Sequence, residues 1–205
     1  MSHVYFDHNA TTALDSRVLK AMLPFLTTQQ GNATSRHAYG RFARDAIETA
    51  REQVAKAVGA YPSQVVFTAS GTEANNFAVT GMTAKQPNTQ IAISAIEHPC
   101  VTRPAEIMQS RGWKLAKIGV NHQCELDFEQ LENALRVPTS LVSVMLANNE
   151  TGAIQNIAGV AELARKNGAY VHTDAVQAFG KIDVNFEALN VHAMTISSHK
   201  IHGPQ

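Results

Sequence analysis

Apolar residues recur along this chain in two alternating patterns, a helical stripe and a short continuous run. The clearest stripe lies in residues 41–60, where apolar positions recur every three or four residues and Gly59 is placed to end the helix. Short apolar runs bounded by polar residues indicate buried strands. The predicted strands are residues 64–69, 90–96, 113–120, 140–147, 169–174 and 191–198, and further helices are predicted at 72–84, 100–112, 127–135 and 157–168.

Strands that are apolar along most of their length and alternate with helices predict a mainly parallel sheet with helices on both faces. The reason is that every parallel connection needs a crossover of helix length. The predicted fold class is therefore α/β. Ligands of such sheets bind at the carboxyl ends of the strands, so polar residues directly after each strand are the candidates for chemistry.

The composition is that of an ordinary globular protein and disfavours several function classes. The 205 residues are 44% hydrophobic, and 17 basic side chains balance 17 acidic ones. Without a basic stripe, nucleic acids and membranes are not expected as partners, and no segment approaches the roughly 20 apolar residues of a membrane span. No secretory signal is recognisable and the two cysteines suggest no disulfide framework, so we expect a cytoplasmic protein with a small ligand.

Five predicted strand ends carry polar residues, which a parallel sheet would bring to one edge. They are Ser70 to Glu73, Glu97 with His98, Asn148 to Glu150, Asp174 with Gln177, and Ser197 to Lys200. The turn Ser70-Gly71-Thr72 opens a helix, where free N–H groups and the helix dipole favour a phosphate, although an ordinary helix cap explains the same residues. The motifs GxxxxGK[ST] and GxGxxG do not occur, which argues against nucleoside triphosphates and dinucleotides.

Asp174 and Lys200 are unusual residues for the ends of apolar strands. A buried carboxylate needs a partner, which could be a protonated ring nitrogen of a cofactor, a salt bridge or a helix end. Lys200 stands between His199 and His202, and burial among potential cations favours the neutral, nucleophilic amine, although a surface lysine is the usual case. With the phosphate turn and a histidine, these groups are the parts needed to hold pyridoxal phosphate (PLP).

Histidine and cysteine offer two further alternatives. His98 could stack on a cofactor ring or could be only a satisfied polar residue at a strand end. His98 with Cys100, and His122 with Cys124, lie two residues apart, but this is not the spacing of a structural zinc site, and no metal is expected. Cys100 is interpreted as a small apolar residue at the start of a helix.

Taken together, the motifs resemble the class V aminotransferase superfamily, and within it the NifS-like cysteine desulfurases. The resemblance rests on YFDHNATT, FTASGTEANN, EHP, ANNETGAIQ, HTDAVQAFGK and SSHKIHGP, in the family's order over essentially the whole chain. The segment GNATSRHAYGRFAR departs from its family counterpart at Ala33 and Thr34. The resemblance implies the large domain of a fold type I PLP-dependent transferase, truncated before its last strands. Residues 1–13 would be an arm packing with a small domain, and residues 14–205 the incomplete PLP-binding domain.

The resemblance also implies a role for each matching residue. Lys200 would bind PLP covalently and then shuttle the α-proton of the substrate, while His98 would stack on the ring. Asp174 would keep the ring nitrogen protonated. The ring hydroxyl would be contacted by Asn149 and Gln177, and the phosphate would be bound by Gly71, Thr72, Ser197 and His199.

In that family, sulfur is removed from L-cysteine to give L-alanine and a persulfide on an enzyme cysteine, which passes sulfur to an acceptor such as an iron–sulfur scaffold protein. We therefore expect a PLP-dependent homodimer that acts on L-cysteine. The family's persulfide cysteine and its carboxylate-binding arginine lie beyond the position of Lys200, and Cys100 and Cys124 match neither, so these 205 residues alone are expected to be inactive. A selenocysteine lyase or related PLP lyase, and a catalytically inactive fragment, remain as alternatives.

Overall fold

A computed structural model of the protein describes residues 4–87 and 89–205. The described chain divides into two compact units, which we call the terminal unit (residues 4–67 with 198–205) and the sheet unit (residues 68–197). The expected division into an arm of residues 1–13 and a domain of residues 14–205 stays a prediction, and residues 1–3 of that arm lie outside the described residues.

The terminal unit is built on two helices, α1 (Ser16–Thr27) and α2 (Ala38–Val58), with single-turn 3-10 helices at Pro62–Gln64 and Ser198–Lys200. Helix α2 was predicted, and it ends as predicted at Gly59, whose φ of 64° is a left-handed conformation that glycine adopts without a Cβ clash. Helix α1 was not predicted. It begins after Asp15, whose side chain accepts a hydrogen bond from the Arg17 backbone N–H.

The sheet unit alternates helices with strands. In chain order its elements are α3 (Gly71–Thr83), β1 (Gln90–Ser94), α4 (Pro99–Ser110), β2 (Lys114–Ile118), α5 (Phe128–Ala134), β3 (Thr139–Ser143), α6 (Ile157–Lys166), β4 (Tyr170–Asp174), α7 (Phe186–Leu189) and β5 (Ala193–Thr195). The five strands form one sheet in the order β2-β1-β3-β4-β5, and every pairing is parallel. The predicted α/β class with a parallel sheet is confirmed.

Both faces of the sheet are covered, as the continuous apolar strands predicted. Along β1, Ile91 and Ile93 pack with Val79 of α3 and Val101 of α4 on one face. The alternate residue Ala92 belongs to the cluster on the other face, which also contains side chains from α5 and α6. Because successive side chains of a strand point to opposite faces, each strand needs apolar residues at both alternations, and that explains why no polar period is visible.

The predicted strand at residues 64–69 is wrong. This segment is extended at Val65, but no strand of the described chain pairs with it, and Val66 is 65% exposed. The Val65 carbonyl instead accepts a hydrogen bond from the Arg51 guanidinium, which also lies 5.1 Å from the centre of the Phe67 ring. A side chain of α2 therefore supplies the hydrogen bond that a neighbouring strand would have supplied.

All five strands of the sheet are shorter than the runs predicted for them, and β3 and β5 illustrate this. Strand β3 ends at Ser143, although the buried run continues to Ala147, and Val144 and Leu146 still donate backbone N–H groups to carbonyls of β4. Strand β5 covers only Ala193–Thr195. Among the described residues, no helix combines the length and the apolar character needed to cross a membrane.

Candidate functional site

Helix α3 begins at Gly71, within the predicted turn Ser70-Gly71-Thr72. Ser70 is the N-cap, and its Oγ accepts a hydrogen bond from the Glu73 N–H at 3.1 Å while its carbonyl accepts from the Ala74 N–H. The ordinary cap interpretation therefore holds for Ser70. It leaves the N–H groups of Gly71 and Thr72 without an acceptor inside the helix, because the first turn of a helix has none to offer. A helix start of this kind can bind an anion.

Ser197 lies beside this turn. A Cβ added to Gly71 would come 3.4 Å from Ser197 Cβ and 3.4 Å from Val176 Cγ2, which is an ordinary packing distance. Ser197, two residues after the end of β5, and Gly71, the first residue of α3, are therefore neighbours, which the predicted phosphate site would require. Thr72 is exposed beside them.

Asp174 is the last residue of β4 and is 4% exposed. Its Oδ1 accepts a hydrogen bond from the Val176 N–H at 2.9 Å, and its Oδ2 accepts one from Asn75 Nδ2 at 2.7 Å. The Cys100 thiol donates to the same Oδ2 at 3.8 Å. Burial raises the pKa of Asp174 above its usual value, and these donors, together with the nearby His98, act in the opposite direction.

His98 is at the start of α4, where its side chain caps the helix. Its Nδ1 accepts a hydrogen bond from the Cys100 N–H at 3.2 Å and lies 2.9 Å from Cys100 Sγ. One end of its ring is held by the start of the helix. The residue is exposed, so the rest of the ring is accessible to a ligand. The local reason is the sequence His98-Pro99, because proline is favoured in the first turn of a helix and leaves the preceding residue extended.

Asn149 and Gln177 follow β3 and β4. Asn149 lies in a turn that Asn148 organises, since Asn148 Oδ1 accepts hydrogen bonds from the N–H groups of Glu150 and Thr151, both at 2.9 Å. Asn149 Nδ2 donates to Glu150 Oε1. Gln177 Oε1 accepts a hydrogen bond from Lys181 Nζ at 2.7 Å.

His199 and Lys200 belong to the terminal unit, where they contact the segment before α1. Lys200 Nζ donates to the Ala10 carbonyl at 2.7 Å and also to the Asn9 carbonyl. The Thr12 N–H and hydroxyl both donate to the His199 carbonyl. Burial lowers the pKa of His199, with a smaller effect from Lys200 in the same direction. The amino-terminal motif DHNATT therefore surrounds the backbone that carries Lys200.

The sheet unit thus contains seven of the nine residues predicted to bind a cofactor, and the terminal unit contains His199 and Lys200. Their roles stay predictions. No group of three or more His, Cys, Asp or Glu side chains within residues 4–87 and 89–205 could hold a metal ion.

Sequence reasoning missed Asn75 and Glu97, two buried polar residues near Asp174. Asn75 was included only in the family motif, although a polar residue between Ala74 and Ala78 on a helix that covers a sheet is itself a signal. Glu97 was noted only as a strand-end residue. Its Oε1 accepts a hydrogen bond from the Met145 N–H, and burial raises its pKa well above the usual value.

A family model described as aminotransferase class-V matches residues 4–205. The chain belongs to the class-V aminotransferase family. Its relatives include a cysteine desulfurase of Sinorhizobium fredii, 43% identical over 208 residues, which covers all of this chain and 54% of the relative. The mitochondrial cysteine desulfurase of Saccharomyces cerevisiae is 42% identical and aligns with 98% of this chain and 41% of its own length. The chain spans about half the length of the curated relatives it matches.

Solved structures superpose on nearly the whole of this chain. A NifS-like protein from Rickettsia africae superposes with a TM-score of 0.90 at 38% identity, covering 100% of this chain and 56% of that protein. A protein named SspA, solved in complex with cysteine, superposes with a TM-score of 0.95 at 32% identity, covering 99% of this chain and 59% of its own. The class-V fold expected from the sequence is confirmed over the length that is shared.

Proposed function

We propose that this chain is the PLP-binding part of a cysteine desulfurase, which takes sulfur from L-cysteine and leaves L-alanine. Class-V aminotransferases and cysteine desulfurases are PLP-dependent in general, and the relatives named above carry the desulfurase name. The observation that carries the proposal is Asp174, a buried carboxylate at the carboxyl end of a central strand whose hydrogen-bond donors shown above are all neutral groups. It has capacity left for one more donor.

Within the sheet unit, the polar groups present have the chemistry that PLP needs at its ring nitrogen and at its phosphate. The ring nitrogen would be held by Asp174, the ring face by the exposed His98, and the phosphate by Gly71, Thr72, Ser197 and His199. Asn149 and Gln177 would contact the ring hydroxyl. When bound, PLP supplies an electron sink that stabilises negative charge at the α-carbon of an amino acid. An anionic Asp174 is required for that chemistry, because it keeps the ring nitrogen protonated.

Lys200 would attach the cofactor through Nζ and later take the α-proton of the substrate. An amine can do either only when it is neutral. In the structure Nζ donates hydrogen bonds to backbone carbonyls of the terminal unit, so attachment requires it to exchange these acceptors. His98 would support the reaction by fixing the ring plane.

Neither cysteine of this chain is proposed to carry the persulfide. Cys100 is buried, and burial followed by the charge of Asp174 raises the pKa of its thiol to about 12. A thiol with that pKa is almost entirely protonated at neutral pH and is a poor nucleophile. We further propose a homodimer and transfer of sulfur to an acceptor protein such as an iron–sulfur scaffold, with L-cysteine as the substrate.

The cofactor assignment is tested with purified protein incubated with PLP and then reduced with borohydride. We expect visible absorption before reduction and, after it, a single labelled peptide that contains Lys200. A Lys200→Ala variant should remain colourless and unlabelled, whereas Lys56→Ala, which removes an exposed lysine of the same unit, should behave as the wild type. A wild-type protein that stays colourless, or a label spread over several lysines, contradicts the proposal.

The substrate class is tested on the full-length enzyme that is proposed to contain this chain, by following L-alanine formed from L-cysteine with excess dithiothreitol present to accept the sulfur. L-selenocysteine serves as the comparison. Faster formation from L-cysteine is expected, and strict preference for L-selenocysteine would instead support the lyase alternative.

A further inference from the structure

Asn75 is a buried polar residue in the middle of α3 that the proposed function has not used. It is fully buried, and its Nδ2 donates hydrogen bonds to Asp174 Oδ2 at 2.7 Å and to Cys100 Sγ at 2.9 Å. Its Oδ1 is buried and has no hydrogen-bond partner within the described chain. A buried acceptor without a partner destabilises the folded protein, so this side chain is not explained by stability alone.

The orientation of the amide follows from the chemistry of its neighbour. An ionised carboxylate can only accept hydrogen bonds, so the NH₂ group of Asn75 must face Asp174 and the Oδ1 must face the interior. Placing the NH₂ group against Asp174 therefore leaves Oδ1 without a hydrogen-bond partner. A leucine has the same number and branching of side-chain non-hydrogen atoms and no unpartnered acceptor, but it would give Asp174 no donor.

We propose that Asn75 is a positioning residue that holds the Asp174 carboxyl in its anionic form and in a fixed orientation. This proposal rests on the proposed function, because the anion matters through the ring nitrogen it would face. A hydrogen bond to a charged group is stronger than one between neutral groups, and in a buried site it favours the charged form.

Among the groups around Asp174, Asn75 provides the strongest side-chain hydrogen bond to the carboxyl. Cys100 of α4 donates only a weak thiol hydrogen bond, and exposed His98 lowers the pKa of Asp174 without a hydrogen bond to it. Glu97 is a second buried carboxyl close enough to interact, and each negative charge would disfavour the other. The close donors to Asp174 are thus the Val176 backbone N–H and the Asn75 amide, and the latter is the one that substitution can remove.

The position of Asn75 also connects the two ends of the proposed cofactor site. It lies three and four residues after Thr72 and Gly71, which places it one helical turn from the start of α3 and on the same face. One helix would therefore offer its first N–H groups to the phosphate and a side-chain amide to the acid at the ring nitrogen. A shift of α3 would disturb both ends together.

The decisive experiment needs no cofactor. The Asp174 carboxyl carbon is followed by NMR through a pH titration of the 205-residue protein, in the wild type, in Asn75→Leu and in Asn76→Leu. Asn76 is the matched control, since it is the same residue type on the next position of α3 and its amide donates to the Thr72 carbonyl instead. We expect the midpoint of Asp174 to rise in Asn75→Leu and to stay unchanged in Asn76→Leu.

A merely structural role for Asn75 predicts a different result. In that case Asn75→Leu would change the thermal midpoint but not the titration of Asp174, and an unchanged or lower titration midpoint overturns the proposal. If Asn75→Leu does not fold, the wild type still gives an answer. The side-chain amide resonances of Asn75 should shift with the same midpoint as Asp174. Amide resonances that do not change across that titration also overturn the proposal.

Binding of PLP then separates this inference from the proposed function. We expect PLP affinity to fall by about tenfold or more in Asn75→Leu, as loss of a hydrogen bond to a charged group implies. If the wild type does not bind PLP, the proposed function fails while the titration result for Asn75 stands. If the wild type binds PLP and Asp174 titrates identically in both proteins, the proposed function stands and the role of Asn75 fails.

Discussion

Cys100 shows how the surroundings of one residue decide its chemistry. The sequence placed it two residues after His98 and next to a presumed cofactor, where a reactive thiol could be imagined. The structure surrounds it with apolar residues such as Val101 and Met108 and places its Sγ against an amide, an imidazole and a carboxyl group. Burial and a neighbouring acid both penalise the thiolate, so proximity to the site does not make this cysteine a nucleophile.

We expect Cys100 to resist alkylation in the folded protein. With a pKa of about 12, only about one thiol in ten thousand is ionised at pH 8. Cys124, which is partly exposed in a turn, provides the internal comparison. Iodoacetamide followed by peptide mass spectrometry should label Cys124 at least about a hundredfold faster, and both equally after unfolding. Equal labelling of the two cysteines in the native protein would show that Cys100 is accessible and ionised.

At the level of helices and strands, the start of α2 depends on a glycine that packs against the preceding loop. A Cβ on Gly40 would lie 2.3 Å from the Ser35 carbonyl oxygen and 2.7 Å from that of Asn32. Both neighbours are backbone atoms, which cannot rotate away as a side chain could. The loop of residues 31–37 therefore approaches the helix closely only because position 40 has no side chain.

We predict that Gly40→Ala destabilises the protein by about 1–3 kcal/mol, as overpacking does. Gly81 of α3 is the matched control, because its added Cβ would meet only the Phe77 ring at 3.7 Å. Gly81→Ala should stabilise the protein by about 0.5–1 kcal/mol through helix propensity. Urea unfolding monitored by circular dichroism measures both. Stability of Gly40→Ala equal to that of the wild type would mean that the loop moves freely.

The sequence patterns were most reliable where an element lies wholly in the sheet unit. The alternation of apolar runs and helical stripes predicted β1, β2 and β4 and the four longer helices of that unit. Strands buried on both faces need continuous apolar runs, and such runs are visible in the sequence. Residues 64–69 form a similar apolar run. A strand also needs a neighbouring strand to pair with, and the pattern of apolar residues does not show whether one is present. Helix α1 was missed although its apolar residues recur at helical spacing, and Pro24 within it is a residue that disfavours the interior of a helix.

The candidate site was predictable only in part for a similar reason. Residues after strands could be read from the sequence, since their position follows from the topology of a parallel sheet. Asn75 stands out as a polar residue on a helix that covers the sheet, but its contact could not be predicted, because it joins α3 to the end of β4, 99 residues later in the chain. Motif resemblance added predicted roles for these residues, but it did not predict the hydrogen bonds that the structure shows around Asp174.

The stability of the sheet unit as a whole is coupled to pH through a buried histidine. His172 of β4 is fully buried, with Nδ1 2.8 Å from Ser143 Oγ on β3 and Nε2 3.1 Å from Thr195 Oγ1 on β5. This side chain therefore bridges three adjacent strands. Burial lowers its pKa from 6.5 to about 4, so it is neutral in the folded protein at physiological pH.

The sign of its effect on stability follows from proton linkage. Between pH 6.5 and about 4 the unfolded chain protonates His172 and the folded one does not, so its contribution is present above pH 6.5 and is lost as the pH falls. Asp174 and Glu97 act in the opposite direction. Burial raises the pKa of each, so the folded protein binds their protons more readily and gains stability as the pH falls.

These opposing effects are separated by comparing two histidine variants. His172→Gln keeps a hydrogen-bonding side chain but cannot be protonated, whereas His122→Gln removes an exposed histidine. The free energy of unfolding, measured by urea denaturation at pH 7.5 and 4.5, should fall by about 2–3 kcal/mol more in the wild type than in His172→Gln. His122→Gln should follow the wild type. A His172→Gln variant with the same pH dependence as the wild type would mean that His172 becomes protonated within the folded sheet, where Ser143 and Thr195 would then have to accept both of its hydrogen bonds.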